Sequence, residues 1–241
     1  MRNDPSMLNL SYHVSQWKHD YLTAFKRLCE HGVQSVEMGS ALLQNPSVIK
    51  SDLEAHNLTL SSVFEFGHFQ SIHRKREILM HHRLLAHKLE LLRVPMVALA
   101  PGLRYKHTTL SEMYRFVGEI TNIYASYNIT TAIHPHFKQC IFYEEDIKSL
   151  LENVHSPLFL LPDTFHLNLA NIDCHSFFRQ FSTFIKGVHI REPLHGLFSS
   201  LHTHLPKNCL LIIEEKEKAS PSIATIDNNI EEVKKFIGFE A

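Results

Sequence analysis

The sequence predicts an α/β protein in which eight strands alternate with eight helices and close into a (β/α)8 barrel. Short apolar runs alternate with longer amphipathic segments along all 241 residues. Eight such pairs match the length of a closed eight-stranded barrel. No linker, low-complexity tract or shift in composition marks a second domain. We therefore expect one domain, residues 1–241, with a doubly wound open sheet as the structural alternative.

The predicted strands are short apolar runs, as expected for buried parallel strands. They are Leu8–Tyr12, Ser35–Met38, Thr59–Phe64, Met96–Ala100, Thr130–Ile133, Leu158–Leu161, Gly187–Ile190 and Leu210–Ile213. Helices are predicted near 20–31, 46–56, 73–91, 109–127, 144–153, 174–184, 195–204 and 228–237. Segment 111–120, for example, has apolar residues three and four positions apart. The glycine-rich phosphate turn that often marks open sheets is missing after the first strand, which favours the barrel.

Composition limits the classes of function. The chain is 44% hydrophobic and 20% charged, with a net charge of −1 and no long run of either sign. A nucleic-acid surface or an anionic membrane partner is therefore not expected. No apolar stretch reaches the roughly 18 residues of a membrane-spanning helix. Without a secretory signal or a Cys-x-x-Cys motif, we expect a reduced, cytoplasmic protein.

The chain contains 19 histidines, an unusually high number. Many of them, such as His81, His82 and His87, fall in a charged segment with helical spacing, and we expect these to be exposed. Richness in histidine alone therefore does not indicate a metal site.

The last four predicted strands all end in polar residues that can bind a metal. These are His134, Asp163, His189 and Glu214 or Glu215. In a β/α barrel the carboxyl ends of all strands open onto one face, where active sites are built. Residues two apart on a strand share a side. His136 should therefore accompany His134, and Arg191 should accompany His189, whereas only one of the two glutamates can point inward.

A mixed set of imidazole and carboxylate ligands suits Mn, Co, Zn or Fe(II) better than Mg. Each residue also has a structural interpretation: a hydrogen-bonded core histidine, a helix cap or a solvated charge. These structural interpretations do not explain why His, Asp, His and Glu end four successive strands. The set as a whole therefore predicts one divalent metal site.

Five segments resemble the xylose isomerase-like TIM barrel superfamily of sugar-phosphate isomerases, epimerases and dehydratases, which includes inosose and dehydroshikimate dehydratases. The segments are Gly32–Glu37, Ile133–His136, Pro162–His166, His189–Glu192 and Ile212–Glu214. The resemblance implies Asp163, His189 and Glu214 as metal ligands, with Glu215 as the fallback. His134 stands where the family commonly has a glutamate, as in the His-x-His form of inosose dehydratases. An alternative alignment would place Ala132 there.

The chain departs from the family pattern at several positions. Phe165 replaces a glycine before His166, a histidine that matches a substrate-site residue of the family. Arg191 stands where lysine is usual. The interval between His189 and Glu214 is shorter than usual, which implies a trimmed loop over the substrate.

The resemblance implies a lyase or isomerase that abstracts a proton α to a carbonyl of a small polyhydroxylated substrate: a sugar, a cyclitol or a shikimate-like acid. A dehydratase is favoured, because the two opposed glutamates of the epimerases are not both present. His136 and His166 can act as acid and base, and Arg191 can bind a substrate oxygen or carboxylate. An aldose–ketose isomerase or epimerase is the nearest alternative.

Three further residues can line the substrate pocket, although we favour a solvated position for each: His13, Glu65 and His68. An abasic-site endonuclease is disfavoured, because a basic DNA-facing stripe is missing. The alternative from another class is a non-catalytic barrel that binds a small molecule or a protein. The sequence leaves the substrate and the oligomeric state open, including a homo-oligomer.

Overall fold

A computed structural model describes residues 9–104, 109–191, 201, 203–215 and 221–237. Eight strands follow one another along the chain, and their bounds agree with the prediction to within two residues. They are β1 Asn9–His13, β2 Ser35–Gly39, β3 Thr59–Phe66, β4 Met96–Ala100, β5 Thr130–Ile133, β6 Leu158–Leu160, β7 Gly187–Ile190 and β8 Leu210–Ile213. Leu8, which was predicted to begin the first strand, lies outside the described residues.

Helices connect these strands on the outside of the sheet. They are α1 Tyr21–Glu30, α2 Pro46–Ala55, α3 Lys75–Leu91, α4 Leu110–Ala125, α5 Glu144–Asn153, α6 Thr164–Leu169, α7 Cys174–Phe181 and α8 Ile223–Ile237. Short 3-10 helices span Ser15–Asp20, Ser40–Leu42 and Ile72–Arg74. Of the predicted helix 195–204, only residues 201, 203 and 204 are described, and all three are helical.

Three helices differ from the prediction. Helix α7 ends at Phe181 rather than near residue 184. Helix α6 was not expected, because six residues are too few to show a helical repeat; it begins where Asp163 accepts hydrogen bonds from the backbone of Phe165 and His166. Helix α8 begins at Ile223 rather than near residue 228.

All strand pairs are parallel, in the order β6-β5-β4-β3-β2-β1-β8-β7. The two ends of this order are joined by isolated backbone bridges, Leu160 to Ile185 and Asp163 to His189. The eight strands therefore form a nearly closed barrel, as predicted, and not an open doubly wound sheet. The seam between β6 and β7 brings Asp163 level with His189.

Residues along each strand alternate between two cores. Outward side chains such as Val188, Ile190 and Ile213 join the large core between sheet and helices. Inward side chains form a small second core, which is Met96, Ala98, Ala132, Leu161 and Ile212. Positions two residues beyond these inward side chains therefore face the interior at the carboxyl end of the barrel.

One expectation about the surface histidines is wrong. His82 of α3 is fully buried, and its Nδ1 atom lies 2.7 Å from the hydroxyl of Tyr124 on α4. The helix carries enough charge to resemble a solvated segment, but His82 lies on the side that packs against α4. His81 and His87 are more than half exposed, as expected.

No helix in the described part of the chain is long and apolar enough to cross a membrane.

Candidate functional site

Polar side chains meet inside the carboxyl end of the barrel, where the two-residue alternation places them. Four strands supply the inward residues directly or just beyond their ends: His13 from β1, Glu37 from β2, His189 from β7 and Glu214 after β8. His134 and Asp163 follow β5 and β6 in the same way. All six are buried.

Glu37 is fully buried and connects two histidines. Its Oε1 atom lies 2.7 Å from Nδ1 of His13 and 2.8 Å from Nε2 of His189. Its other oxygen accepts a hydrogen bond of 2.5 Å from Ser62, which a register shift between β2 and β3 brings alongside. Burial disfavours its charge, but His189 and His13 outweigh burial and hold the pKa of the Glu37 carboxyl well below its usual range.

Glu37 was used only for the family resemblance and was not predicted as a site residue. The available signal was the same one that marked strands five to eight, because Glu37 is an acidic residue in a short apolar run. Its contacts also place His13 in the buried cluster, so the solvated position favoured for that residue is wrong.

His189 lies between two carboxylates. Its Nε2 atom faces Glu37, and its Nδ1 atom lies 2.5 Å from Oε2 of Glu214. Burial opposes a charge on the ring, but Glu37 and Glu214 outweigh it and raise the pKa of His189 to about 10. For Glu214, burial is likewise outweighed by His189 and His13, and its pKa falls to about 2. In this arrangement His189 is an imidazolium between two carboxylates.

Arg191 connects the two carboxylates that follow β6 and β8. Its Nε atom lies 2.5 Å from Oδ2 of Asp163, and its Nη2 atom lies 2.7 Å from Oε1 of Glu214. The side chain of Arg191 is only 5% exposed. Its guanidinium also lies 5.8 Å from the ring centroid of Phe165.

His134 presents a nitrogen that no described group satisfies. Its Nδ1 atom lies 2.9 Å from the carbonyl oxygen of Leu161. Since a carbonyl can only accept, Nδ1 carries the proton and Nε2 carries a lone pair. Nε2 is buried and has no hydrogen-bond partner among the described residues. Burial, with His189 nearby, holds the pKa of His134 well below its usual range, so the ring is neutral.

Three of the four predicted ligands converge. Ligand atoms of His134, Asp163 and His189 lie within 4.8 Å of one another, which is close enough for one metal ion to contact all three. The neutral imidazole of His134, with its Nδ1 held by a backbone carbonyl, has the form that metal-binding histidines take. Glu214 instead faces His189 and Arg191. A second group of similar size is formed by His13, Glu37 and His189.

The two predicted acid–base histidines lie together. The ring centroids of His136 and His166 are 3.9 Å apart. His166 is buried, and neither of its ring nitrogens has a hydrogen-bond partner among the described residues. Burial, with His136 and Arg191 nearby, lowers the pKa of His166 to about 3, so this imidazole is neutral at pH 7. Ligand atoms of this pair also lie within 4.8 Å of that of His134.

Glu65 and His68 lie apart from this cluster. Phe64 packs against the ring of His134, so Glu65, the next residue on β3, faces the helices. Its carboxylate accepts from Ser40 at 2.6 Å and lies 2.8 Å from His81, which makes it a buried contact to α3 rather than a solvated residue. His68 is exposed, as favoured from the sequence. The structure does not bring either residue together with the predicted ligands.

The two glutamates after β8 point to opposite sides of the strand, because successive side chains alternate. Glu214 continues the inward side of Ile212, whereas Glu215 continues the outward side of Ile213. Glu215 accepts hydrogen bonds from Tyr12 at 2.9 Å and from Trp17 at 3.1 Å. Glu215 is therefore anchored in the outer layer, away from the other candidate ligands.

A cavity of about 1200 Å³ lies at the opposite, amino-terminal end of the barrel, where Leu10, Leu60 and Met96 line it. None of the described candidate residues lines this cavity. We therefore assign the candidate site to the carboxyl end on its chemistry and not on the size of an opening.

Solved structures of similar shape support the fold. A probable 3-DHS dehydratase, AsbF of Bacillus anthracis, has a TM-score of 0.80 at 12% identity, covering 94% of this chain and 98% of its own. A D-psicose 3-epimerase of Clostridium cellulolyticum, solved with D-tagatose, has a TM-score of 0.75 at 13% identity, covering 96% and 97%. The 3-keto-D-glucoside 4-epimerase YcjR of E. coli has a TM-score of 0.76 at 14% identity, covering 95% and 98%.

No curated protein sequence matches the chain significantly. The family model described as xylose isomerase-like TIM barrel matches residues 25–209, which is more than three quarters of the chain. The described strands and helices have the matching architecture. The chain therefore belongs to the xylose isomerase-like TIM barrel family.

Proposed function

We propose that this chain is a divalent-metal-dependent lyase or isomerase that abstracts a proton α to a carbonyl of a small polyhydroxylated substrate. A dehydratase acting on a sugar, cyclitol or shikimate-like acid is the favoured form. The observation that carries the proposal is the buried, unpartnered Nε2 lone pair of His134, within 4.8 Å of ligand atoms of Asp163 and His189. An unsatisfied buried nitrogen is costly unless it binds something.

His134, Asp163, His189 and Glu214 would hold the ion. Imidazole and carboxylate donors together favour Mn, Co, Zn or Fe(II) over Mg. When bound, such an ion supplies positive charge that makes a proton α to a carbonyl more acidic. His189 must first lose its proton and exchange a carboxylate contact for the ion, so metal binding releases protons.

The remaining inward residues supply the proton transfers. His136 and His166 lie against each other, and one of them would take the α proton as general base. The other would give a proton to the departing β-hydroxyl, which leaves as water. The electron pair of the broken C–H bond becomes the new double bond as the C–O bond breaks. Arg191 provides a fixed cation for a substrate oxygen or carboxylate.

This arrangement favours dehydration or isomerisation over epimerisation. Epimerisation by two opposed glutamates needs a carboxylate on each face of the substrate, and His134 occupies the position of one of them. The dehydratase and epimerase neighbours share the fold at low identity, which leaves the reaction to be decided by these side chains.

A non-catalytic binding barrel is the second candidate. It is favoured by the close pairing of buried polar groups with one another: imidazoles or a guanidinium alternate with carboxylates in the order His13, Glu37, His189, Glu214, Arg191 and Asp163. A site that compensates its own charges in this way has less need of a metal.

Metal binding by His134→Ala distinguishes these candidates. We expect chelator-stripped wild-type protein to bind about one Mn²⁺ per chain in calorimetry, and His134→Ala to bind it at least tenfold more weakly. His87→Ala, an exposed substitution on α3, serves as the control. The metal-loaded protein would then be screened with 3-dehydroshikimate, keto-inositols and keto-sugars for loss of water. Equal binding by wild type and His134→Ala would contradict the metal site, and absence of turnover would favour the binding barrel.

A further inference from the structure

Arg191 occupies the carboxylates on which a metal would depend. Its guanidinium reaches Asp163 through Nε and Glu214 through Nη2, at 2.5 Å and 2.7 Å. All three side chains are buried, with exposed fractions of 5%, 0% and 9%. A planar guanidinium that donates to two carboxylates in a dry site is a strong and directional contact.

Every oxygen of the two carboxylates lies within 2.7 Å of a nitrogen. In Asp163, Oδ1 accepts a hydrogen bond from the backbone nitrogen of Phe165 at 2.7 Å, and this bond caps the start of α6. Its Oδ2 atom faces Arg191. In Glu214, Oε1 faces Arg191 and Oε2 lies 2.5 Å from His189. An incoming divalent cation must therefore displace one of these partners, and Arg191 is the one that contacts both carboxylates.

The guanidinium and a divalent ion are also unfavourable neighbours. Two cations that share the same carboxylate oxygens repel each other strongly where water is excluded. Removing the guanidinium relieves this repulsion and frees one oxygen on each of Asp163 and Glu214. The helix cap at Oδ1 of Asp163 can persist, because it uses the other oxygen.

A second partner for the displaced guanidinium is close by. The ring centroid of Phe165 lies 5.8 Å from the guanidinium carbon of Arg191, within the distance of a cation–π contact. Phe165 and Arg191 are two of the positions where the chain departs from the residues usual in the family. In this chain the two departures touch each other.

We propose that Arg191 is an internal cation that competes with the divalent metal for Asp163 and Glu214. Metal binding displaces the guanidinium from both carboxylates, and the released guanidinium then binds an anionic or carbonyl oxygen of the substrate. The two carboxylates therefore exchange the Arg191 guanidinium for the metal, and this competition lowers the affinity of the site for the metal. This inference rests on the proposed function, because the competing ion is the metal proposed there.

The test is Mn²⁺ binding by chelator-stripped protein, measured by calorimetry and by electron paramagnetic resonance of the free ion. Arg191→Gln removes the charge and the bridging contacts, and we expect it to bind Mn²⁺ at least about tenfold more tightly than wild type. Arg191→Lys keeps the charge but lacks the planar fork, and we expect an intermediate affinity. If loss of charge alone were responsible, Arg191→Lys would bind like wild type, and that result would overturn the displacement of a bridging contact.

A measurement on wild-type protein does not depend on the variants folding. We expect the Nε–H resonance of Arg191 in ¹⁵N NMR spectra to move from that of a buried, paired group to a new position as Zn²⁺ is added. An unchanged resonance at saturation would overturn the proposal. Arg104, which pairs with Asp146 away from the site, is the internal control and should not move.

The outcomes separate this inference from the proposed function. If wild type binds Mn²⁺ and Arg191→Gln binds it no more tightly, the competition is wrong and the metal-dependent function stands. If only Arg191→Gln binds Mn²⁺, Arg191 does compete, and the natural chain is not a metal-dependent enzyme. If neither binds, both proposals are wrong.

Discussion

The Nε2 atom of His189 lies 2.8 Å from Oε1 of Glu37, although β1 and β8 separate their strands in the sheet. The contact therefore crosses the barrel interior instead of following neighbouring strands. It fixes one side of the His189 ring, and Glu214 holds the other at 2.5 Å. Glu37 thus orients a candidate metal ligand from a strand three positions away, as second partners of metal-binding histidines do.

Replacing Glu37 by glutamine should strongly destabilise the protein. The change keeps the shape of the side chain but leaves His13 and His189 without their shared carboxylate. Breaking one partner of a buried charge pair costs about 3 kcal/mol or more. Urea unfolding of the metal-free protein measures this loss. Glu54→Gln, an exposed substitution on α2, should change the free energy of unfolding by less than about 0.5 kcal/mol. Equal effects of the two variants would show that Glu37 contributes no more to stability than an exposed glutamate does.

The two adjacent glutamates after β8 should respond differently to the same substitution. Glu214→Gln should weaken Mn²⁺ binding about tenfold or more, because it removes a charged ligand. Glu215→Gln should leave Mn²⁺ affinity nearly unchanged and lower the free energy of unfolding by roughly 1–2 kcal/mol, because Tyr12 and Trp17 lose a charged acceptor. Calorimetry and urea unfolding of both variants provide the comparison. The reverse pattern would place Glu215 at the metal.

Asp163→Asn should remove most metal binding while the fold persists. Asparagine caps helices nearly as well as aspartate, so α6 keeps its start at this position. The lost negative charge should reduce the metal content to a small fraction of one ion per chain, measured by mass spectrometry after dialysis. Circular dichroism checks the fold. Metal retained at the wild-type level would rule out Asp163 as a ligand.

The buried ring of His82 should lower the free energy of unfolding in acid. Burial lowers the pKa of His82 from 6.5 to about 4, so the folded state favours the neutral ring. The unfolded chain takes up a proton near pH 6.5, whereas the folded chain does so only near pH 4. The contribution of the neutral His82 ring to the free energy of unfolding is therefore fully present above pH 6.5. It is lost as pH falls towards 4, and the total loss is about 3 kcal/mol.

Urea unfolding between pH 7 and 4 measures this dependence. His82→Gln should lose less of its free energy of unfolding over that range. Its pH slope should correspond to about one proton fewer taken up per chain on unfolding. His87→Gln, on the same helix but exposed, should keep the wild-type slope. If His82→Gln also keeps that slope, His82 does not contribute to acid sensitivity.

Local sequence was enough to predict the barrel and half of the site. The two-residue alternation of β5 and β7 places His134 with His136 and His189 with Arg191, and apolar runs located every strand to within two residues. The same alternation could not choose between Glu214 and Glu215, because that choice depends on which side of β8 faces the axis. His82 was misassigned for a similar reason, since the charged residues of α3 hide the side that packs on α4.

Periodicity and composition by themselves determined the fold class, the strand positions and the end of the barrel where polar groups gather, because these depend on contacts between residues near in sequence. Only the tertiary structure decided which of those groups pair. The contact of Glu37 with His189 spans two intervening strands, and the contacts of Arg191 with Asp163 and Glu214 join the end of β7 to the ends of its neighbours β6 and β8. They depend on strand register and on closure between β6 and β7, and neither can be read from a single strand.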